Sequence, residues 1–226
     1  MTDKVIDLSV PVNTDTMSPP STDLRVDLTR YNRGPGFWQV TAVSQSLHTG
    51  SHIDAPLHCY EDGFTTADIP LERVIGDAFV FDCTGVGRGE PVDVPVLEAA
   101  AEGARPGDIF LLHTGWSDEH WGSFPEYFTG SPYLTPEAAE WLVAREPSAV
   151  AFDFFEEYCA RLPEFTSEDF ICHRILLGAG IPLLEQVTGI GQVGRRRFQF
   201  FAPFYKLEGC DGAQARFFAL LDNTGE

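Results

Sequence analysis

The chain has 226 residues, and its composition, 43% hydrophobic and 22% charged, is that of a globular protein. Its formal net charge of −19 argues against nucleic-acid binding, because phosphate contacts need clustered lysine and arginine. No apolar run approaches the roughly 20 residues that span a bilayer, and charges among the first residues argue against a secretory segment. We therefore expect a cytoplasmic protein that binds neither nucleic acid nor membrane.

Strand-like and helix-like segments alternate along much of the chain. Alternating or continuous apolar residues predict strands at 5–10, 24–30, 38–47, 78–83, 108–113, 149–154, 198–204 and 215–221. Capping residues and composition predict helices at 93–104, 135–145 and 167–180. This order indicates an α/β layer arrangement, and no linker divides the chain, so we expect a single domain over 1–226.

A short stretch, SLHTGSHIDAPLHC at 46–59, contains half of the six histidines. Its metal-ligating side chains are His48, His52, Asp54 and His58. Imidazole nitrogen and carboxylate oxygen are ligands of divalent transition metals. Gly50 and Pro56 disfavour a helix here, whereas in an extended segment His52 and Asp54 point the same way. Separate histidines satisfied by hydrogen bonds are the alternative, but the clustering of four groups favours a metal site.

Two distant residues could complete such a site. His173 lies in the predicted helix 167–180, and Glu185 follows the apolar stretch GIPLLEQV. A buried carboxylate needs a partner, which a metal would supply. The alternatives are a hydrogen-bonded core histidine and a salt bridge.

The stretch HTGSHIDAPLH resembles the HxGTHxDxPxH signature of the metal-dependent cyclase superfamily, which includes bacterial kynurenine formamidase and isatin hydrolase. Other segments resemble the family in the same order, namely VIDLSVPVNTDTM, GDIFLLHTGW, YLTPEAAEWL, CHRILLGAGIPLLEQV and LEGCDGAQARFFAL. The resemblance implies an α/β fold, a swivelling β/α/β domain with a twisted, barrel-like mixed sheet flanked by helices. It also implies a homo-oligomer, either a dimer or a tetramer.

The resemblance further implies one or two divalent ions, zinc or manganese. Carried over by motif position, the ligands of the first ion would be His48, His52 and Asp54. Asp54 would bridge to a second ion, whose other ligands would be His58, His173 and Glu185. His58 is alternatively a catalytic general acid/base, because imidazole titrates near neutral pH.

The chain departs from the family pattern at several positions. Ser51 replaces the usual threonine and keeps the hydroxyl, while Arg174 stands where kynurenine formamidases have a second histidine. FDFFEEYCARLPEF, at 152–165, replaces an Asp-x-x-Ser-x-Asp-like stretch, which weakens the formamidase assignment. Candidate substrate-binding residues near the motif or at strand ends are Phe37, Trp38, Phe64, His113 and Trp116. Core packing is the alternative for the aromatic residues, and a strand-end hydrogen bond is the alternative for His113.

Together these features predict a metal-dependent hydrolase that cleaves a C–N bond in an amide, formamide or lactam through a metal-activated water. The substrate would be small and aromatic, with arylformamidase chemistry of the kind used in tryptophan catabolism. One alternative is a metal-dependent cyclase or dehydratase acting on a polyketide-like biosynthetic intermediate. Another is a non-catalytic metal-binding protein of the same fold.

Overall fold

The computed structural model describes residues 4–20, 22 and 24–221. Its strands are β1 Lys4–Asp7, β2 Asp27–Asn32, β3 Gln39–Ser44, β4 His52–Asp54, β5 Ile75–Asp82, β6 Pro91–Val92, β7 Ile109–His113, β8 Tyr133–Leu134, β9 Ala149–Phe152, β10 Leu183–Glu185, β11 Arg197–Phe201, β12 Gly212–Gln214 and β13 Phe218–Leu221. Its α-helices are α1 Val94–Ala100, α2 Trp116–His120, α3 Glu126–Thr129, α4 Pro136–Val143 and α5 Ile171–Gly178.

Nine strands form one mixed sheet in the order β1-β13-β11-β5-β7-β9-β10-β4-β12. The central strands β5, β7, β9 and β10 pair in parallel, and antiparallel strands extend the sheet on both sides. The sheet curls into a half-barrel with few helices. The predicted α/β fold with a twisted, barrel-like mixed sheet is therefore confirmed.

Each face of the sheet carries its own apolar core. Along β5, Phe79 and Phe81 belong to the core shared with the helices, whereas Val80 belongs to the core on the other face. This follows from the alternation of side chains along a strand. Full burial of each such side chain contributes roughly 1.5–3 kcal/mol, so the central strands form the rigid part on which the site is built.

The helices begin close to where their capping residues predict. Thr135 caps α4, and its hydroxyl accepts a hydrogen bond from the backbone N–H of Ala138 at 3.2 Å. Helix α5 begins at Ile171 rather than at 167, because Ser167–Asp169 forms a separate 3-10 turn capped by Thr166. In the part of the chain that the structure describes, none of the helices is both long and apolar enough to cross a membrane.

Strands β2 and β3 form a hairpin that is a two-stranded sheet of its own. All of its strand residues are exposed except the half-buried Leu28. Next to the turn, Phe37 is 90% exposed and Trp38 is 67% exposed. The hairpin therefore presents aromatic side chains away from both apolar cores.

Candidate metal centre

Three short neighbouring strands bring the motif together with residues far along the chain. In the antiparallel pair β4–β10, His52 lies opposite Glu185. On the other side of β4, Gly212 of β12 lies opposite Asp54, which brings the preceding residue, Asp211, close to the motif. Helix α5 contributes His173, so four segments of the chain meet at one site.

His52 shows most directly what the site lacks. Its Nδ1 lies 2.7 Å from the carbonyl oxygen of Gly50, and because a carbonyl only accepts, Nδ1 carries the proton. Its Nε2 is buried without a hydrogen-bond partner, 3.2 Å from Oδ1 of Asp54 and 3.5 Å from Oε2 of Glu185. This nitrogen thus faces two carboxylates without a hydrogen-bond partner, an arrangement that a divalent cation between them would satisfy.

His48 lies between two carboxylates. Its Nδ1 is 2.7 Å from Oδ1 of Asp54, and its Nε2 is 2.8 Å from Oδ2 of Asp211. Burial opposes the charged form of His48, but the two carboxylates prevail and raise its pKa to about 10. The ring packs against Gly212, where an added Cβ would lie 2.8 Å from Cε1 of His48, so only glycine leaves room for it.

His58 lies at the open side of the cluster, at the end of the 3-10 turn Pro56–His58. Its ring stacks on that of His48 with centroids 4.0 Å apart. Its Nδ1 lies 3.3 Å from Oδ2 of Asp211, and the His48 and His58 contacts lower the pKa of Asp211. With Nδ1 donating to Asp211, Nε2 of His58 is free to exchange a proton.

His173 faces carboxylates with both ring nitrogens. Nε2 lies 3.0 Å from Oε1 of Glu185 and 3.6 Å from Oδ2 of Asp54. Nδ1 lies 2.9 Å from Oε1 of Glu156 and 3.0 Å from Oε1 of Glu157. Burial disfavours the charged form, but these carboxylates, with Glu156 acting most strongly, raise the pKa of His173 well above its usual range.

The buried carboxylates are affected in opposite directions. Burial tends to raise the pKa of Asp54, but His48 and the other histidines around it hold that pKa well below its usual range. Burial and the neighbouring Glu185 carboxylate raise the pKa of Glu156 to about 8. Carboxyl groups whose pKa values are shifted apart in this way are typical of functional sites.

The loop before β4 is fixed by backbone geometry and by one hydroxyl. Gly50 has φ +72°, a left-handed conformation that favours glycine. The Ser51 hydroxyl donates to the carbonyl of Gln186 at 2.8 Å and accepts from the N–H of Val10 at 3.0 Å. The serine that replaces the usual threonine therefore joins the motif to the residue that follows Glu185.

The structure brings all six predicted ligands into this cluster, together with two glutamates and Asp211. Their ligand atoms form three groups, in each of which the atoms lie within 4.8 Å of one another: His48, Asp54 and His58; His52, Asp54 and Glu185; Glu156, Glu157 and His173. The division of ligands between two ions, with Asp54 as the bridge, remains a prediction. The donor set fits a divalent metal, because the buried unpartnered atoms include nitrogen and oxygen ligands.

A cleft of about 450 Å³ opens beside His58. Its walls include Cys59, Phe165, Phe170 and Arg174. Arg174 is fixed by its backbone, because the Tyr60 hydroxyl donates to its carbonyl oxygen at 2.8 Å. The cleft is large enough for a small aromatic molecule. It is lined by two apolar rings, by the guanidinium of Arg174 and by His58 at the exposed edge of the cluster.

The five predicted substrate-binding residues are not among those that line the cleft beside His58. Phe37 and Trp38 are on the hairpin, and Phe64 is 40% exposed, near Gly180. Trp116 is buried in the helix-side core, where its indole N–H donates to the carbonyl of Tyr127 at 2.9 Å. Trp116 is therefore packed as a core residue.

His113 occupies a different cleft. Its Nδ1 lies 2.8 Å from Oδ2 of Asp153, and the cleft around it is lined by Asp82, Thr84 and Gly191 among others. Residues alternate along β7, so His113 shares the sheet face of Leu111, whereas Glu185 shares the face of the helix-side core. The two sites are thus on opposite faces of the sheet.

Asp211, Glu156, Glu157 and Arg174 were not among the predicted site residues. Asp211 lies in the segment LEGCDGAQARFFAL, and the two glutamates follow strand β9. Ligands commonly bind at the carboxyl ends of parallel strands, which is the one signal that could have indicated the glutamates. Nothing in the local pattern around Asp211 indicates its position beside His48.

The curled mixed sheet identifies an α/β protein, and the histidine–carboxylate cluster is a site of the kind that binds a metal ion. The family model described as "Putative cyclase" matches residues 6–156. The chain therefore belongs to this cyclase family, as the resemblance of its motifs predicted.

Comparisons with individual proteins agree with the family. The chain is 28% identical to a kynurenine formamidase of Erythrobacter litoralis over 180 residues, which cover 78% of this chain and 74% of that protein. It is 26% identical to a kynurenine formamidase of Bacillus mycoides over 217 residues, 95% and 96% of the two chains. Isatin hydrolase A from Labrenzia aggregata, solved with benzyl benzoate, has the same fold with a TM-score of 0.82 at 22% identity, over 97% of this chain and 94% of that one.

Proposed function

We propose that this protein is a metal-dependent hydrolase that cleaves the C–N bond of an amide, formamide or lactam in a small aromatic substrate. The observation that carries the proposal is the buried Nε2 of His52, which has no hydrogen-bond partner and faces the carboxylates of Asp54 and Glu185. The relatedness to kynurenine formamidases supports amide chemistry. Zinc or manganese would suit a set of imidazole and carboxylate ligands.

A bound divalent metal supplies a Lewis acid that polarises a carbonyl and makes water nucleophilic near neutral pH. His52, Asp54 and Glu185 would hold it, with His48 as a further ligand through Nδ1. His58 would donate a proton from Nε2 to the leaving nitrogen, while Asp211 holds the proton on Nδ1 of the same ring. Such general acid catalysis contributes typically 10²–10⁴-fold.

The cleft beside His58 would receive the substrate. Phe165 and Phe170 offer apolar ring faces, with centroids 5.7 Å apart, against which an aryl group can pack. Arg174 would bind an anionic group of the substrate. The guanidinium of Arg174 lies 3.5 Å from a carboxylate oxygen of the exposed Glu168. Such a surface ion pair contributes about 1 kcal/mol or less, so a substrate carboxylate can replace Glu168.

The exposed hairpin supports assembly with further copies of the chain, as a dimer or tetramer. Phe37, Trp38 and Val43 are large apolar residues in one exposed segment, and exposed apolar patches commonly mark association surfaces. A substrate role for Phe37 or Trp38 would require a second copy, because neither is among the described residues that line the cleft beside His58. The five cysteines are all unpaired, which supports a cytoplasmic location.

The test is a substrate panel with metal-stripped enzyme reloaded with zinc or manganese. We expect metal-dependent turnover of at least one among N-formylkynurenine, isatin and simple formanilides. Asp54→Asn should lower metal content and kcat/KM by more than roughly 100-fold, since even outer partners of metal ligands contribute 10–100-fold. Turnover that survives chelation, or full metal and full rate in Asp54→Asn, would contradict the proposal.

A further inference from the structure

A second cleft, of about 500 Å³, opens where two neighbouring parallel strands end. Asp82 ends β5 and His113 ends β7; the two residues lie opposite each other in the sheet, and both line the cleft. Ligands commonly bind at the carboxyl ends of parallel strands. Because His113 and Glu185 are on opposite faces of the sheet, this cleft is distinct from the metal centre.

His113 is oriented by Asp153, which directly follows strand β9. The carboxylate of Asp153 accepts from the backbone N–H groups of Thr114 and Gly115 at 2.8 and 2.7 Å, and from the Thr114 hydroxyl at 2.7 Å. An ionised carboxylate only accepts, so Nδ1 of His113, 2.8 Å from Oδ2, donates to it. Nε2 is then the nitrogen left for a ligand, and it lies beside Gly191, where an added Cβ would be 3.6 Å from it.

The cleft gathers positive charge in a strongly acidic protein. The chain has 34 acidic and 15 basic residues, and three of the basic ones form the run Arg195-Arg196-Arg197. Arg195 and Arg196 line the cleft. Burial disfavours the charged form of His113, but the contact with Asp153 outweighs it and raises the pKa of His113 above its usual value. Two guanidinium groups and an imidazolium therefore meet in one cleft.

Arg196 is held in position by contacts with its neighbours. Its Nε donates to the carbonyl of Val80 at 3.3 Å, and its Nη2 donates to the carbonyl of Ala100. The guanidinium also lies over the ring of Phe79, 4.7 Å from the centroid. Nη1 takes part in neither hydrogen bond and can donate to a ligand. A side chain that is already fixed loses less conformational freedom on binding, and guanidinium groups bind carboxylates strongly.

The other walls of the cleft define which anion it suits. Val80, Ala100 and Ile190 are buried apolar residues along it, and its volume is in the range of sites for small organic molecules, roughly 300–1,000 Å³. Hydrogen bonds from Thr84 lower the pKa of Asp82, so Asp82 is negatively charged. Because charges of like sign repel, Asp82 disfavours a doubly charged anion more than a singly charged one.

We propose that this cleft binds a small organic monocarboxylate, with its carboxylate between Nε2 of His113 and the guanidinium of Arg196 and its apolar part against Val80 and Ile190. Thr84 is the one hydroxyl among the described residues that line the cleft, and it donates to Asp82 at 2.7 Å. The cleft therefore suits binding rather than nucleophilic catalysis. The inference goes beyond the proposed function, because it involves none of the candidate metal ligands.

The experiment titrates the full-length protein by calorimetry with benzoate, with neutral benzamide and with inorganic phosphate. We expect benzoate to bind at millimolar concentration or below, at least tenfold more tightly than the other two. His113→Gln and Arg196→Gln should each weaken benzoate roughly tenfold or more, because each removes a hydrogen bond to a charged group. Arg30→Gln, at an exposed position in β2, is the matched control and should bind as wild type does.

Asp82→Asn keeps an oxygen that can accept from Thr84 but removes the competing charge. This variant should bind benzoate more tightly than wild type, a gain that impaired folding cannot produce. Nuclear magnetic resonance of the histidine rings locates the ligand independently. The ring signal that is missing in His113→Gln should shift when benzoate is added to wild type, and also when it is added to Arg174→Gln.

Three outcomes would overturn the inference. The first is that benzoate leaves the His113 ring signal unmoved. The second is that benzoate binding survives in His113→Gln but is lost in Arg174→Gln, which would place the ligand in the cleft beside His58. The third is that phosphate binds more tightly than benzoate, which would reject the class of ligand. Each of these leaves the proposed function standing, since metal-dependent turnover is measured separately.

Discussion

Asp211 holds His48 in place across 163 positions of sequence: Oδ2 of Asp211 lies 2.8 Å from Nε2 of His48. The same oxygen lies 3.3 Å from Nδ1 of His58. Carboxylates that accept the second N–H of a metal-ligating histidine fix its tautomer and orientation. In the proposed metal centre, Asp211 would therefore leave Nδ1 of His48 as the ligand atom and Nε2 of His58 free for proton transfer.

Replacing Asp211 by asparagine should lower kcat/KM by roughly 10–100-fold, the usual effect of losing such a partner. The amide keeps the volume of the side chain but removes the charge that the two rings share. Asp62→Asn, at an exposed loop position, is the control and should behave as wild type. Steady-state kinetics and metal analysis check this, and an unchanged rate in Asp211→Asn would remove Asp211 from the site.

His58→Ala distinguishes a proton donor from a ligand. As a general acid, His58 contributes to kcat, so the variant should lose about 10²–10⁴-fold in rate and keep its metal. An activated amide with a good leaving group needs less protonation and should lose less. Glu61→Gln, also exposed, is the control. Metal analysis decides the alternative, because a large loss of metal would make His58 a ligand.

The sequence indicates which residues are candidate metal ligands but not how they are arranged. His48, His52, Asp54 and His58 are close in the chain, so their clustering is visible in one stretch. The pairing that brings Glu185 opposite His52 depends on strands of three residues, which are too short for apolar periodicity to reveal.

Residues whose role depends on tertiary contacts were harder to predict. Trp116 lies next to a strand end in sequence, yet the carbonyl of Tyr127 and the surrounding core keep it buried. Asp211 lies between a cysteine and a glycine with no periodic signal, and only the pairing of β12 with β4 brings it to His48. Single-sequence patterns report which face is apolar, not which distant segments meet.

Arg174 is expected to select for substrates that carry a carboxylate. Hydrogen bonds to charged groups contribute about 1.5–3 kcal/mol, so Arg174→Gln should raise KM for an ortho-carboxylated formanilide roughly 10–100-fold. The neutral formanilide should change by no more than about twofold. Arg174→Lys keeps the charge and should lose less. An equal loss for both substrates would show that Arg174 shapes the cleft rather than recognising an anion.

The His113–Asp153 pair should make stability depend on pH. Burial disfavours charged His113, but its contact with Asp153, together with Asp118 and Asp82, raises the pKa of His113 above its usual value of 6.5. A raised pKa stabilises the folded state below about pH 6.5, and this stabilisation is lost as the pH rises through the folded-state pKa. His113→Gln removes the charge, while Asp153 still accepts hydrogen bonds from the backbone N–H groups of Thr114 and Gly115.

The free energy of unfolding of this variant should therefore be lower than that of wild type by about 1–3 kcal/mol at pH 5.5, and the difference should shrink by pH 9. Thermal unfolding of both proteins across this range checks the prediction, which a constant or growing difference would contradict.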